Sequence, residues 1–246
     1  MSPEGSNRKI ELGKYMRGSL FLIMTLIIGS ANATRITVGP DDADYDQIQE
    51  AVDNASIGDI IEVRSGTYLE HVSIAKALTL ISLDTGKGLP IINASGSGSA
   101  LTLMANGSIV EGFNLTGSGH CGCGNAGILV KSGNNTVYNN IAFKNKYGIF
   151  VKKGYYNNSF FFNDLLENEI AAHDKSNNSW SGRKMAEGIQ PFAEFMVGKQ
   201  VKGNHYSDYD EPEEGCKDSN DDGICDKPRK IKGGSSVDEY PLIAQE

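Results

Sequence analysis

Gly127-Ile-Leu-Val-Lys-Ser-Gly133 and Gly148-Ile-Phe-Val-Lys-Lys-Gly154 are two copies of one short segment, 21 residues apart. Asn134-Asn-Thr136 follows the first copy and Asn157-Asn-Ser159 follows the second, at an offset of 23 because two tyrosines are inserted. A fainter third copy ends in Asn177-Asn-Ser179. A period of about 20 to 25 residues is typical of units that stack and bury their apolar faces against one another.

Within each unit, short apolar runs alternate with corners rich in asparagine and glycine, which is a pattern of strands and turns rather than of helix. Stacked strands of such units pair with both neighbours at a spacing of about 4.8 Å. Asparagine suits the corners because it tolerates the left-handed backbone and because equivalent amides in successive coils can hydrogen-bond as a ladder. We therefore predict a parallel β-helix. The alternative is an antiparallel meander with coincidental repeats.

Residues 1–33 have the composition of a secretory signal. Four basic residues precede the apolar stretch Leu20–Ile28, which is too short to span a bilayer comfortably. Ala31-Asn-Ala33 fits the small-x-small cleavage pattern, so we expect cleavage before Thr34. The alternative is an uncleaved N-terminal anchor, which is the only membrane contact that we expect. Export predicts a secreted or cell-surface protein.

The charge balance argues against some partners. The chain of 246 residues carries 23 Lys and Arg against 31 Asp and Glu, a net charge of −8. Without residues 1–33, which contain four basic and two acidic residues, the net charge is −10. An acidic surface argues against nucleic acid or anionic lipid as a partner, and it is compatible with cations or neutral sugars.

Export also makes disulfides and N-linked glycans possible. The four cysteines are an even number, as expected for paired thiols outside the cell. Seven Asn-x-Ser/Thr sequons follow the signal segment, and an asparagine-rich β-helix would place several of them on exposed turns. The candidate glycosylation sites are Asn54, Asn93, Asn106, Asn114, Asn134, Asn157 and Asn177.

A short helix is predicted before the first coil. Asp44-x-x-Gln47 resembles a capping box, and apolar residues at helical spacing lie within residues 45–55. These apolar residues are Ile48, Ala51, Val52 and Ala55. A β-helix needs its first coil covered, because exposed strands and an open core would aggregate. We therefore expect this helix to be the N-terminal cap.

Two parts of the chain resemble a known family. The run GDIIEVRSGTYLEHVSIAKALTLIS at residues 58–82, followed by Asn- and Gly-rich coils, resembles the NosD-like family of right-handed parallel β-helix proteins. That family is related to the pectin-lyase-like, carbohydrate-binding and sugar-hydrolase group. Near the C-terminus, Gly203-Asn-His-Tyr-Ser-Asp-Tyr209 and Val237-Asp-Glu-Tyr-Pro-Leu242 are similar to the closing module of archaeal surface proteins of this type, with His205-Tyr206 replacing the usual Tyr-Trp pair. The resemblance implies fold more strongly than biochemistry, because one fold hosts many functions.

These features divide the chain into three parts and give an all-β fold class. Residues 1–33 are the signal segment, residues 34–180 the right-handed parallel β-helix with its N-terminal cap, and residues 181–246 an irregular C-terminal cap. Residues 181–202 have mixed periodicity, and we expect them to return over the coils.

The loop Asp218-Ser-Asn-Asp-Asp-Gly-Ile-Cys-Asp226 has the ligand spacing of a calcium loop. Oxygen donors at positions 1, 3, 5 and 9, a carbonyl at 7 and glycine at 6 match the start of an EF-hand, but position 12 is Arg229 instead of glutamate. We predict a structural calcium ion in the C-terminal cap; the alternative is a solvated acidic turn. The predicted ligands are Asp218, Asn220, Asp222, Ile224 and Asp226.

Cys216 and Cys225 bracket this loop. A disulfide between them would close a ring of ten residues, which in the chain-entropy description stabilises the fold by roughly 2.5–3 kcal/mol. It would also hold the ligand loop in place, so this pairing is preferred. The other two connectivities of four cysteines remain open.

His120-Cys-Gly-Cys123 offers an imidazole and two thiols close together. As thiolates, Cys121 and Cys123 could bind a soft ion such as Cu(I) or Zn²⁺ together with His120. The NosD resemblance implies a link to copper-site assembly, so copper is kept as an alternative cofactor. In an exported protein, however, the two cysteines can equally form a disulfide or another structural loop, and this outcome is preferred.

Evidence for catalysis in the sequence is weak. Glycoside hydrolysis ordinarily needs two carboxylates about 5–9 Å apart. Between Asp84 and Asp164 the only acidic residue is Glu111, so the central coils offer no pair. Asp164, Glu167 and Glu169 cluster in the next coil and are the catalytic candidates. The alternative is a solvated acidic face.

We therefore expect a non-catalytic protein that binds carbohydrate or another envelope component, or that has a structural role at the cell surface. A polysaccharide-active hydrolase or lyase is one alternative, and a NosD-like copper-handling accessory protein is another. A strip of exposed aromatic rings would favour sugar binding. The aromatic candidates are concentrated in two coils, at Tyr147, Phe150, Tyr155, Tyr156 and Phe160–Phe162.

Overall fold

The computed structural model describes residues 33–182 and 202–244. The predicted signal segment, its alternative as an anchor, and almost all of the segment 181–202 lie outside the described residues. Within those two ranges, no helix has the length and apolarity needed to cross a bilayer.

Apart from the 3₁₀ turn Pro212–Glu214, short strands and one α-helix make up the regular structure in the described part of the chain. In chain order they are β1 (Arg35–Val38), α1 (Ile48–Asn54), β2 (Ile60–Arg64), β3 (Thr67–Tyr68), β4 (Val72–Ile74), β5 (Thr79–Leu83), β6 (Ile91–Asn93), β7 (Leu101–Leu103), β8 (Ile109–Glu111), β9 (Asn114–Thr116), β10 (Ala126–Val130), β11 (Thr136–Tyr138), β12 (Ile141–Phe143), β13 (Tyr147–Val151), β14 (Ser159–Phe161), β15 (Asp164–Leu166), β16 (Ile170–Asp174), β17 (His205–Tyr206), β18 (Arg229–Lys230) and β19 (Val237–Asp238).

Three parallel sheets form the body of the molecule. The first contains β1, β2, β5, β8, β11 and β14, the second β4, β7, β10, β13 and β16, and the third β3, β6, β9, β12, β15 and β17. Each successive trio of strands from β2 to β16 gives one strand to every sheet, so the described chain winds through five complete coils. The predicted parallel β-helix is confirmed, and the antiparallel alternative is excluded for these strands.

The repeat seen in the sequence is the coil of the structure. Ile128 in β10 pairs with Ile149 in β13, at the offset of 21 residues. Thr136 in β11 pairs with Ser159 in β14, at the offset of 23 residues. The two inserted tyrosines therefore lengthen a corner without changing which residues face inward.

The core is a column of apolar side chains along the solenoid axis. Val72, Ile74, Leu78 and Leu80 belong to this column and are at most 2% exposed. At the C-terminal end of the column, the ring of Phe160 packs 4.5 Å from the ring of Trp180, measured between centroids. Trp180 is fully buried, as expected of a residue that seals the end of the solenoid.

Close packing between coils explains the glycines that open the repeated segments. A Cβ on Gly148 would lie 2.4 Å from the carbonyl oxygen of Ala171 in the next coil. A Cβ on Gly127 would lie 2.8 Å from the Nδ2 of Asn145. Neither position has room for a side chain, so the recurring glycine is a consequence of stacking.

The N-terminal cap is a helix, as predicted, but it is shorter than the predicted range 45–55. Helix α1 spans Ile48–Asn54. The apolar stripe that predicted it is buried against the first coil: Ile48, Ala51, Val52 and Ala55 are at most 4% exposed. The helix thus covers the open end of the core, which is the role expected of a solenoid cap.

The predicted capping box at the start of this helix is wrong. The carboxylate of Asp44 accepts hydrogen bonds from the backbone and hydroxyl of Thr37 instead. The first amides of α1, those of Ile48 and Gln49, donate at 2.9 and 2.8 Å to the two carboxylate oxygens of Glu70. A residue more than twenty positions away therefore caps the helix, because the strand region that carries it packs beside the helix start.

The C-terminal residues cover the last coil. Strand β17 pairs with β15, so that His205 lies opposite Asp164 and Tyr206 opposite Leu165. Strands β18 and β19 form an antiparallel pair. Tyr206 is fully buried. The end of the apolar column is therefore closed by an irregular cap built on one added strand.

Candidate functional site

A ladder of buried asparagines joins three coils and ends on a buried carboxylate. The Nδ2 of Asn135 donates to the Oδ1 of Asn158 at 2.9 Å, and the Nδ2 of Asn158 donates to the Oδ1 of Asn178 at 3.0 Å. The Nδ2 of Asn178 then donates to both oxygens of Asp174, at 3.0 and 3.1 Å. Asp174 is fully buried and also accepts from the Nε1 of Trp180.

A second ladder is built in the same way. The Nδ2 of Asn140 donates to the Oδ1 of Asn163 at 3.1 Å, and that of Asn163 donates to the Oδ1 of Asn204 at 2.9 Å. The Nδ2 of Asn204 donates at 3.1 Å to the Oδ2 of Asp238, which also accepts the hydroxyl of Tyr206 at 2.9 Å. The predicted asparagine ladder is thus confirmed at two corners.

The carboxylates that end the ladders are structural groups that the sequence did not single out. Asp238 is fully buried, and burial raises its pKa to about 6, although the amides of Asn204 and Tyr240 act in the opposite direction. Burial together with the Asp238 charge raises the pKa of Tyr206 well above its usual value. The sequence did contain a pointer to Asp238. This residue is the aspartate of the C-terminal VDEYPL motif, which the family resemblance identified without giving the aspartate a role.

Gly203 allows this arrangement. A Cβ there would lie 1.8 Å from the Oδ1 of Asp238, so only glycine can precede Asn204. The Gly203-Asn204 pair and the Asp238 motif are therefore two halves of one contact, which closes the second ladder.

Each of the three catalytic candidates lies beside a basic side chain. Asp164 lies 3.3 Å from the Nδ1 of His205, whose Nε2 lies 2.8 Å from Asp210. Burial by itself would lower the pKa of His205, but the hydrogen bonds to the two carboxylates outweigh it and the pKa is raised. Both ring nitrogens are engaged, so His205 has no lone pair to offer as a base.

The other two candidates belong to separate ion pairs on the corner of the solenoid. Glu167 lies 3.4 Å from the Nζ of Lys144, the residue 23 positions earlier in the preceding coil. Glu169 pairs in the same way with Lys146 and also with His120. The hydrogen bond from Lys146 is the main reason that the pKa of Glu169 is lowered. Glu167 and Glu169 therefore each form an ion pair with a basic side chain on the surface of the solenoid.

His120 lies on an exposed loop whose two cysteines are bonded to each other. Cys121 and Cys123 form a disulfide, and both are exposed. The loop spans residues 117–125 between β9 and β10 and reaches far enough for the Nδ1 of His120 to pair with Glu169. Soft-metal binding by this trio requires the dithiol form, because thiolates rather than a disulfide are the ligands.

The predicted calcium loop is closed by its own hydrogen bonds. Asp218 accepts from the amide of Gly223 at 2.8 Å, Asp222 from the amide of Ile224 at 2.9 Å, and Asp226 from a serine hydroxyl at 2.7 Å. The bond from Gly223 is the main reason that the pKa of Asp218 is lowered. Among the described residues, no three His, Cys, Asp or Glu side chains converge as a metal site.

The donors of this loop suit calcium chemically. Carboxylate, amide and carbonyl oxygens are the ligands that calcium prefers. Each of these carboxylates has lone pairs beyond the one that accepts its hydrogen bond, so Asp218, Asp222 and Asp226 can keep these bonds and bind an ion as well. The predicted disulfide between Cys216 and Cys225 is present, with both residues at most 3% exposed, and it holds the two ends of the loop together.

Aromatic side chains stack in pairs along the outer faces instead of forming an open strip. Tyr138 lies parallel to Phe161 with ring centroids 5.1 Å apart, and Tyr147 stacks on Phe150 at 4.8 Å. Of the aromatic residues in 33–182 and 202–244, Tyr156 alone is exposed. The first pair joins neighbouring coils and the second packs along one strand, so both leave little aromatic surface for a ligand.

One polar cleft of about 380 Å³ lies where the last coil meets the C-terminal cap. Its lining mixes amide, hydroxyl and carboxylate groups with aromatic rings. The lining residues are Asn177, Asn178, Ser179, Trp180, Ser181, Ser235, Val237, Glu239 and Tyr240.

The candidate glycosylation sites divide by exposure. Asn93 and Asn114 lie in strands of the third sheet and are half-buried. The other five candidates, Asn54, Asn106, Asn134, Asn157 and Asn177, are exposed.

Comparison with known proteins gives two matches. The profile of a family described as "Periplasmic copper-binding protein (NosD)" matches residues 91–211. A cell surface glycoprotein of Methanothermus fervidus is 35% identical over 129 residues, which cover 49% of this chain and 20% of that protein. The chain thus spans about one fifth of the length of this relative. No solved structure matches the chain.

Proposed function

We propose that this NosD-like parallel β-helix protein is a non-catalytic structural module of the cell surface. The observation that carries the proposal is the pair of asparagine ladders, which run through the last coils and end on the buried carboxylates of Asp174 and Asp238. Fully satisfied buried polar networks favour one rigid arrangement. A rigid rod closed at both ends suits a structural role, and the similarity to a cell surface glycoprotein supports an extracellular location.

The charge pattern argues against the hydrolase and lyase alternatives. A general acid and a nucleophile or base have to face one sugar from about 5–9 Å apart. Asp164 is held by His205, Glu167 by Lys144 and Glu169 by Lys146, each in its own ion pair. Carboxylates paired in this way serve to fix the corner of the solenoid.

Enzyme assays test the proposal directly. The purified protein and the triple variant Asp164→Asn, Glu167→Gln, Glu169→Gln are incubated with soluble neutral and acidic polysaccharides. Release of reducing ends and of unsaturated products is then measured. We expect no release above the buffer blank for either protein. Turnover by the native chain that the triple variant lacks would overturn the non-catalytic assignment.

Carbohydrate binding at the cleft between the last coil and the C-terminal cap is the second candidate. The amide, hydroxyl and carboxylate groups of this cleft, together with Tyr240, have the chemistry that sugar sites use. The variant Glu239→Gln removes the one carboxylate of the lining, and Glu213→Gln, on the exposed 3₁₀ turn Pro212–Glu214, is the matched control. Glycans that bind the native chain and the control but not Glu239→Gln would support this site.

Calcium binding by the loop 218–226 is proposed as a stabiliser of the C-terminal cap. The proposal rests on the ligand spacing of the sequence and on the oxygen-only donor set. We expect millimolar Ca²⁺ to raise the melting temperature of the native chain relative to EDTA, and to have no effect on Asp218→Asn/Asp222→Asn. A melting temperature independent of Ca²⁺ would reject it.

Copper binding is the remaining alternative, and the description of the matching family is its support. It would involve His120 and the thiolates of Cys121 and Cys123, so it requires reduction of their disulfide. Cu(I) titration of the reduced chain against Cys121→Ser/Cys123→Ser decides it. One equivalent bound only by the native chain would support a copper-handling role.

A further inference from the structure

The repeated tripeptide Asn-Asn-Ser/Thr places two neighbouring asparagines in opposite environments. The second asparagine of each copy, at Asn135, Asn158 and Asn178, is at most 7% exposed and belongs to the first ladder. The first asparagine of each copy, at Asn134, Asn157 and Asn177, is exposed. Coil stacking accounts for the second asparagine alone. The left-handed corner favours asparagine at Asn134 and Asn157, but it does not engage their side-chain amides.

The exposed asparagines have free side-chain amides. Among the described residues, no hydrogen-bond partner is found for the side chains of Asn134, Asn157 and Asn177. Both Asn134 and Asn157 have a left-handed backbone, with φ of 57° and 62°, which turns the residue outward at the corner. Asparagine is favoured over most residues at such a φ, but this backbone conformation does not by itself leave the side-chain amide without a partner.

These three sites lie in register on consecutive coils. Thr136 and Ser159, the third residues of the first two sequons, are directly paired in the first sheet. Ser159 is bridged in turn to Ser179, the third residue of the last sequon. The exposed asparagines therefore form a row along one edge of the solenoid, about 4.8 Å apart from coil to coil.

We propose that this edge carries N-linked glycans at Asn134, Asn157 and Asn177. The donor is a lipid-linked sugar phosphate or pyrophosphate, and the acceptor is the Nδ2 of each asparagine. A bond forms between Nδ2 and C1 of the sugar while the bond from C1 to the phosphate oxygen breaks. One amide proton passes to a base of the transferase, and the lipid phosphate leaves. The inference rests on the export that the proposed function assumes.

The other sequons are less suitable for geometric reasons. The Oδ1 of Asn114 is buried without a partner, and that of Asn93 accepts from the backbone of Ser95. The Oδ1 of Asn106 accepts from the backbone amide of Gly133 at 2.7 Å. The Nδ2 of Asn54 already donates to the carbonyl of Glu50. We therefore expect the three in-register sites to be modified in preference to these four.

Site-specific mass spectrometry of the exported chain tests the proposal. The full-length chain is produced in a host that N-glycosylates exported proteins, recovered from the cell surface or medium, and digested. We expect glycan on at least two of the three in-register asparagines, because neighbours one coil apart crowd each other, and on none of Asn93 and Asn114. Substitution of each occupied site, by Asn134→Gln, Asn157→Gln or Asn177→Gln, should remove its own glycopeptide without changing the fold.

Two controls separate the possible failures. Asn139→Gln alters another exposed, left-handed asparagine that is outside a sequon, and it should leave the glycan mass unchanged. An exported chain that carries no glycan on the three sites, or that is occupied equally at all seven sequons, overturns the proposal alone. A chain that is retained inside the cell with residues 1–33 attached instead overturns the proposed surface location.

Discussion

At the scale of single residues, Asn163 shows how much of this fold depends on one buried amide. It is fully buried; its Nδ2 donates to the carbonyl of Val137 and to Asn204, and its Oδ1 accepts from Asn140. Replacing it with alanine leaves at least two buried polar groups without partners, at about 1–3 kcal/mol each. We expect Asn163→Ala to lower the free energy of unfolding by about 3–5 kcal/mol in urea denaturation.

Asn139 supplies the control for this prediction. It is an exposed asparagine with φ of 56°, in the corner between β11 and β12. Asn139→Gly keeps the left-handed backbone and removes no buried amide, so it should change the free energy of unfolding by less than about 1 kcal/mol. Equal losses in the two variants would mean that the ladder does not stabilise the fold.

Asp238 predicts an unusual pH dependence. Burial raises its pKa to about 6 from the ordinary value of 3.8, so the folded chain binds its proton more tightly than the unfolded chain does. The contribution to stability is therefore fully present below about pH 4 and is lost as the pH rises through about 6. We expect the stability of the native chain relative to Asp238→Asn to fall by about 2 kcal/mol between pH 4 and pH 7. Urea unfolding across that range measures it, and a difference that grows with pH would contradict it.

At the scale of elements, the N-terminal helix depends on a carboxylate from another part of the chain. Glu70 accepts hydrogen bonds from the first two amides of α1, and its charge also lies at the positive end of the helix dipole. We expect Glu70→Gln to lower the free energy of unfolding by about 1–2 kcal/mol, as loss of a helix cap does elsewhere. Thermal melting followed by circular dichroism measures the change.

Asp46→Asn is the matched control for this element. Asp46 precedes the helix by two residues and is exposed, so its substitution makes the same change of charge without removing a cap. It should change the free energy of unfolding by less than about 0.5 kcal/mol. A larger effect at Asp46 than at Glu70 would show that general charge near the helix matters more than the specific contact.

At the scale of the whole molecule, the C-terminal cap protects the open end of a stack. Strand β17 pairs with β15, and Ser236 donates to Asp174 from 62 positions away. A chain that ends at Gly182 would expose the edges of the last coil and leave Asp174 and Asn163 without cap partners. Unpaired strand edges and an open core favour association. We expect this truncation to aggregate in size-exclusion chromatography.

A chain that ends at Ala244 controls for truncation as such. It keeps β17, β19 and the Leu242 bridges to His205 and Ile224. This chain should elute as the full-length protein does. A monomeric chain ending at Gly182 would show that the coils are stable without their cap.

The sequence by itself determined the architecture. The offsets of 21 and 23 residues, the short apolar runs and the asparagine corners predicted a parallel β-helix and its asparagine ladders. Helical spacing of apolar residues predicted the capping helix and its buried face, and two cysteines that bracket one loop predicted the Cys216–Cys225 disulfide. These features can be predicted from the sequence because each depends on residues a few positions apart or on a regular repeat. Stacking then follows, since a coil can bury its apolar face only against a copy of itself.

Only the tertiary structure decided which charged groups meet. Glu70 rather than Asp44 caps the helix, His205 pairs with Asp164, and Asp174 receives Ser236 of the C-terminal cap. These contacts join residues that are far apart in sequence and belong to no repeat. The same reason explains the carboxylates that were the catalytic candidates. Glu167 and Glu169 form ion pairs with lysines one coil away. Such contacts between coils cannot be recognised from the residues next to each glutamate in the sequence.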